Sequence, residues 1–427
     1  MDEKTHRKLQ RMGVTRGLKK LQSPPLPAAL PLSSTPSSKT TLPGTELPTA
    51  HGRVWVDRHD YSPEYAHGRY RLDAVANISA ATLALLGAPG LGPRPVFLDT
   101  ETTGLGGGAG TLVFLTGVGV WDGSGLSVFQ VFLRDPVHEI AALRYLDDLV
   151  SSATGLVTFN GRGFDVPLLQ NRFILNRLAP RWAMLPHLDL LSVARQLWRD
   201  HFPSRRLGVL ETEVLRVKRA EVDIDSALIP ALYLDYLRTG EPGEMARIFY
   251  HNLVDVVSLV ALLAHMAGMV ATPESMALAA GEWAGIGRVY DSAGRDSDAW
   301  AAWSNALSGE AGDLDPACAV RLWREMAARR RRSDAWAEAC ALWETWAARV
   351  PGDVEPLVER AKYEEWTAHN PMAALRVTLA ALDRAAQLPR SLEQTLLIED
   401  LAHRRERLER KIARREKDAG GRGQDEP

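Results

Sequence analysis

The sequence predicts an α/β domain built on a mixed sheet flanked by helices, followed by an all-α domain of helical repeats. Three observations lead there. Between residues 94 and 270, several strand-like apolar runs come first and then alternate with helical patterns. Near Thr272–Pro273 the strand signal stops, and a region rich in Ala, Trp and Arg reads as helix throughout. The chain has 427 residues, 45% apolar and 24% charged, which is ordinary material for two or three globular domains.

Taken in order, residues 1–52 read as a disordered arm. Its first part is basic (Lys4, Arg7, Lys8, Arg11, Arg16, Lys19, Lys20), and residues 23–48 are rich in Pro, Ser and Thr. Such a composition buries too little apolar surface to offset chain entropy. The arm reads either as a contact to a phosphate backbone or as a solubilising tail. Residues 53–93 lead into the α/β domain at 94–270. Within it PVFLDTE, TLVFLTGVGVWD, SVFQVFL and GLVTFN read as strands. EIAALRYLDDLVSS, VPLLQNRFILNRL and EMARIFYHNLVDVVSLVALLAHM read as helices.

Residues 274–388 repeat. Trp283, Gly287, Tyr290, Ala299, Trp303 and Ala306 fall at the spacings of the tetratricopeptide pattern. A second copy follows through Trp323, Ala339, Trp343 and Pro351, and a weaker third through Leu357, Ala361, Ala373 and Ala380. Small residues let paired helices approach while aromatics fill the gaps between hairpins. A concave face of this kind predicts a protein or peptide partner; a generic Ala-rich bundle is the alternative. Residues 389–427 read as a charged helix ending in a disordered tail.

Bulk chemistry excludes some classes. Two cysteines, Cys318 and Cys340, make neither a disulfide framework nor a CxxC zinc site, and fit a reducing cytoplasm. No apolar run approaches the ~20 residues that cross a bilayer, so no membrane role is expected. The opening MDEKTHRKLQRMG lacks the apolar segment of a secretory signal. A net charge of −2 does not announce a nucleic-acid binder, although acids in an active site offset a basic groove in such a sum.

The chemistry gathers in three places. In PVFLDTETTGL, Asp99 and Glu101 are i and i+2 at the end of a strand and share one side. Paired carboxylates there are costly without a cation between them, and a hard ion such as Mg²⁺ or Mn²⁺ suits oxygen ligands. In TFNGRGFDVPLL, Asp165 stands after an Asn-Gly turn, at the start of a helix, either as its N-cap or as a further ligand. In YHNLVDVVSLVALL, His251 and Asp255 are i and i+4 on a helix whose following residues are apolar. Polar groups beside a core-facing stripe need a reason. The run GLGGGAG at 104–110 leads into another strand and is no dinucleotide fingerprint.

DTETTGL, FNGRGFD and HNLVD, in this order, resemble the three motifs of the DEDD 3′→5′ exonuclease superfamily. More closely they resemble YprB-type ribonuclease-H-like proteins, in which such a domain precedes tetratricopeptide repeats. HLDLLSVARQLW and SRRLGVLETEVL are similar as well. The resemblance implies a ribonuclease-H-like fold, two divalent ions and phosphodiester hydrolysis from a single-stranded 3′ end of DNA or RNA. Asp99, Glu101, Asp165 and Asp255 would be the metal carboxylates. Two cations about 4 Å apart would clamp the attacking and leaving oxygens. His251 would orient the attacking water and take its proton; the alternatives are Tyr250, at the five-residue spacing of the histidine subclass, or neither residue. Thr102, Thr103, Gly104, Leu105, Asn160 and Phe164 would contact the nucleic acid, and Asp189 would be structural or would brace the metal ligands. The competing reading is a weak or inactive nuclease-like scaffold that binds nucleic acid while its repeats recruit a protein.

Overall fold

The computed structural model describes residues 41–104, 110–219, 224–309 and 314–421. Most of the basic and Pro/Ser-rich arm, Leu105 with most of the glycine run, and the last residues of the tail lie outside the described residues.

Nine strands are present among the described residues: β1 (Thr45–Thr49), β2 (Gly52–Tyr61), β3 (Ala66–His67), β4 (Tyr70–Arg71), β5 (Pro95–Thr102), β6 (Val113–Trp121), β7 (Leu126–Phe132), β8 (Gly155–Thr158) and β9 (His187–Asp189). Seven form one sheet in the order β1-β2-β7-β6-β5-β8-β9, while β3 and β4 make a small separate ribbon. The pairs from β1 to β5 are antiparallel and those of β5 with β8 and β8 with β9 are parallel, which makes the sheet mixed as the patterning predicts.

The sheet begins earlier than the sequence reading placed it. Thr45–Thr49, assigned above to the disordered arm, is an edge strand, and Gly52–Tyr61 of the lead-in segment is its partner. β1 is exposed and carries Pro48, which an edge strand tolerates because its outer N–H needs no ladder partner. β2 is legible only as the brief alternation that buries Val54 and Val56.

Two helices among those described matter most for the site. α1 (Asp165–Leu175) packs Leu168, Leu169 and Phe173 against one face of the sheet, together with Val96 and Leu98 of β5. α2 (Met245–Ala271) crosses the other face, where Phe97 of β5 belongs to the same core as Val256, Val257 and Val260. Alternation along β5 therefore directs Phe97, Asp99 and Glu101 toward α2. By length and composition α2 is apolar enough to cross a membrane, contrary to the expectation from the sequence. In this structure 78% of its most apolar window is buried inside the protein.

The remaining chain is helical: α3 (Ala280–Ser292), α4 (Asp296–Ser308), α5 (Pro316–Arg332), α6 (Trp336–Arg349), α7 (Glu355–Trp366), α8 (Pro371–Ala386) and α9 (Leu392–Gly421). α3 with α4, α5 with α6 and α7 with α8 pack as successive hairpins. Gly287 lets the Trp303 ring lie against its backbone, where any side chain would collide. The boundary at Thr272–Pro273 is not a break in the core. Ala284, Ile286, Trp303, Leu322 and Met326 share one apolar cluster with Phe97 and α2. The Trp198 indole donates to Glu282 at 3.0 Å, and Arg288 pairs with Asp200 at 2.7 Å.

Candidate active site

Asp99 stands opposite Gly117 in the β5/β6 ladder, near the end of β5, and an irregularity follows between Glu101 and Thr102. Its Oδ2 accepts from Asn252 Nδ2 of α2 at 2.8 Å. One helix turn on, Asp255 projects from α2 toward the same region. His251 Nε2 lies 3.5 Å from Asp255 Oδ2 and 3.9 Å from Glu101 Oε1, so ring and acids from β5 and α2 meet. Asp165 enters from the other face: its Oδ1 accepts from Thr100 Oγ1 at 2.5 Å, Thr100 being the β5 residue between Asp99 and Glu101. Asp165 is the first residue of α1, whose N-cap is Phe164, so its carboxylate is not the cap of that helix.

The acids bear on one another's charge. Burial, then the charges of Asp255, Glu101 and Asp165, hold the Asp99 carboxyl well above the usual carboxylate range. Burial pushes Asp165 up to about 6 against the hydrogen bond from Thr100. Like charges crowded in a dry site disfavour ionisation unless a cation joins them, and oxygen donors suit a hard divalent ion. The donor set therefore fits such an ion in charge and chemistry. It is not preassembled: among the described residues, no group of three or more His, Cys, Asp or Glu side chains is set to hold a metal as it stands. Two of the acids have protein partners instead. Asp99 is engaged by Asn252, and Asp255 is ion-paired to the Arg219 guanidinium.

Arg219 had no signal in the sequence. It pairs with Glu211 at 2.8 Å and reaches His251 Nδ1 at 2.9 Å. Burial, the largest influence on it, opposes its charge, but Asp255 and Glu211 outweigh that and hold it firmly protonated. Glu211 in turn accepts from Ser258 at 2.7 Å, and Ser258 meets His67 Nε2 at 2.7 Å. Since the guanidinium only donates, His251 Nδ1 is an acceptor there and the ring's proton sits on Nε2, facing the acids. In this arrangement His251 presents a donor to them rather than a base, which departs from the proton-accepting role expected from the sequence.

The other sequence candidates divide. Asn160 adopts a left-handed backbone (φ 68°), and its N–H donates to Asp189 Oδ1 at 2.8 Å. Asp189 also accepts from the Arg162 N–H at 3.1 Å and caps the helix that follows it. Phe164 is half-buried beside Asp165. Thr102 Oγ1 is turned onto the Gly104 carbonyl, and Thr103 exchanges bonds with Leu112; both thus brace the loop after β5. Tyr250 is half-buried, about 100° round the helix from His251.

A model of the RNase_H superfamily matches residues 96–267, the span that carries all four acids. Residues 96–267 form a ribonuclease-H superfamily domain. The chain is 34% identical over 215 residues to YprB of Bacillus subtilis (strain 168), 48% of this chain and 51% of that protein. The chain therefore spans about half the length of this curated relative. The family B DNA polymerase of the archaeon Pyrobaculum calidifontis overlaps 48% of the chain and 29% of its own at a TM-score of 0.34, with 18% identity. At that score the overlap decides nothing about activity. What the ribonuclease-H domain contributes here is a frame in which the β5 end and the early turns of α2 face each other.

Proposed function

We propose that this protein is a metal-dependent nuclease, a 3′→5′ exonuclease acting on single-stranded ends of DNA or RNA through two Mg²⁺ or Mn²⁺ ions. The observation that carries this reading is the meeting, around His251 and Asn252, of acids from β5 and α2 in a half-buried site of a ribonuclease-H domain. Asp99, Glu101, Asp165 and Asp255 would hold the ions, which when bound supply an activated water and offset charge on the phosphate. His251 would use Nε2–H to orient the water or a phosphate oxygen. Thr103, Gly104 and Asn160 lie on the loops beside these acids, where a terminal nucleotide would enter. The helical hairpins, read as tetratricopeptide-like, would bind a protein or peptide. The cysteine count favours a cytoplasmic setting.

A second reading is a weak or inactive nucleic-acid-binding scaffold. The Arg219–Asp255 ion pair favours it, because a guanidinium already neutralises one of the acids. One assay separates the two. With Mn²⁺, the purified protein should shorten labelled single-stranded oligonucleotides from the 3′ end, and chelator should stop it. A 3′-blocked substrate should resist. Asp99→Asn should lower the rate by at least about 10²–10³-fold, the scale of losing one preorganised electrostatic group. Intact oligonucleotides with the parent protein, or an unchanged rate in Asp99→Asn, would favour the scaffold.

A further inference from the structure

Two buried amides lie behind the acids, and the hydrolytic reading does not use them. Gln130 interrupts the apolar run SVFQVFL of β7 and, like Asn252, is 0% exposed. The Gln130 Oε1 has no partner among the described residues, but its NH₂ has two, and these dictate the orientation of the amide.

The reasoning starts from a backbone carbonyl. Phe249 O of α2 only accepts, so the end of the Gln130 amide 2.8 Å from it is the NH₂. The same nitrogen lies 2.8 Å from the Asn252 amide, which must therefore turn its oxygen to it. The Asn252 NH₂ is left pointing at Asp99, 2.8 Å from Oδ2 and 3.3 Å from the main-chain oxygen. Each orientation forces the next. Room for the relay comes from Gly117 opposite Asp99, since a Cβ there would lie 2.4 Å from Asn252 Oδ1.

We propose that Asn252, oriented by Gln130, is the positioning residue for Asp99. It fixes the plane in which that carboxylate meets the divalent ion. The proposal rests on the metal-dependent reading above. It also explains a polar residue inside β7, far in sequence from all three motifs, that packing alone would not require.

The test is calorimetric titration of the full chain with Mn²⁺ at one pH, comparing the parent with Asn252→Leu, Gln130→Met, the double variant and Asp99→Asn. Asn252→Leu and the double variant should bind Mn²⁺ about 10–100-fold more weakly, the usual cost of losing a partner behind a ligand, with Gln130→Met in between. Replacing both amides by apolar chains of similar size leaves neither orphaned, so the double variant should fold even where a single one does not. A packing role would move the metal-free melting temperature and leave the Kd alone. Folded variants that keep the parental Kd, beside an Asp99→Asn that loses binding, would overturn the relay and leave the metal reading standing. A parent that binds no Mn²⁺, or an Asp99→Asn that binds as well as the parent, would overturn both.

Discussion

Asp99 is half-buried on β5 and His265 is buried on α2, and desolvation acts on them in opposite senses because it opposes whichever form is charged. Asp99 is pushed toward its neutral form, and His265 is pushed down to about 3 by burial, with its Nδ1 hydrogen-bonded to the Tyr70 hydroxyl and its ring stacked 5.8 Å from Trp198. The sign of the consequence for His265 follows from linkage. Unfolded, the ring takes a proton near pH 6.5; folded, it resists until about 3. Its contribution to stability is thus present above pH 6.5 and is lost as pH falls toward 3. Chemical denaturation between pH 7 and 4 should show a smaller loss of stability for His265→Phe than for the parent; equal losses would mean that another group carries the acid limb. At this scale the sequence exposed the residues whose spacing itself carries chemistry: Asp99 with Glu101 at strand spacing, and His251 with Asp255 at one helix turn. It hid Arg219, because Glu211, His251 and Asp255 reach it only through folding. It also hid Asn252, which sits inside HNLVD but reads there as any polar helix residue.

Among the elements, α2 has two tasks. Its first turns bring Asn252 and Asp255 to the β5 end, while its later turns anchor the first helical hairpin. Gly281 and Gly285 of α3 lie directly against the backbone of Leu197 and Asp200, and any side chain there would collide. A chain ending at Ala271 would strip this contact and expose Phe97's cluster on that side, at the ~25 cal/mol per Å² that apolar exposure costs. A chain ending at Arg349 keeps α3 to α6 and with them every member of that cluster. The shorter chain should melt well below the longer one or aggregate, as read by thermal unfolding and gel filtration. Equal melting temperatures would show that the α/β half folds without its helical neighbours. The long periodic segments were legible because each repeats one pattern over several turns or pleats. The β1–β2 hairpin was not, since an edge strand with one buried face carries few apolar residues and here a proline.

For the whole molecule, the account depends on a surplus of negative charge at one point. Asp99, Glu101, Asp165 and Asp255 come from two faces of the sheet, and Arg219 and Asn252 take up part of the load. A net charge of −2 concealed this, because the other charges of the chain average it away. The most direct measurement is a crystal structure of the protein soaked in Mn²⁺, with anomalous scattering used to find the ions. The account predicts anomalous density within coordination distance of Asp99 and at least one of Glu101 and Asp255, with Arg219 released from Asp255. Saturating Mn²⁺ that leaves no anomalous density at Asp99, and the Arg219–Asp255 pair intact, would contradict it.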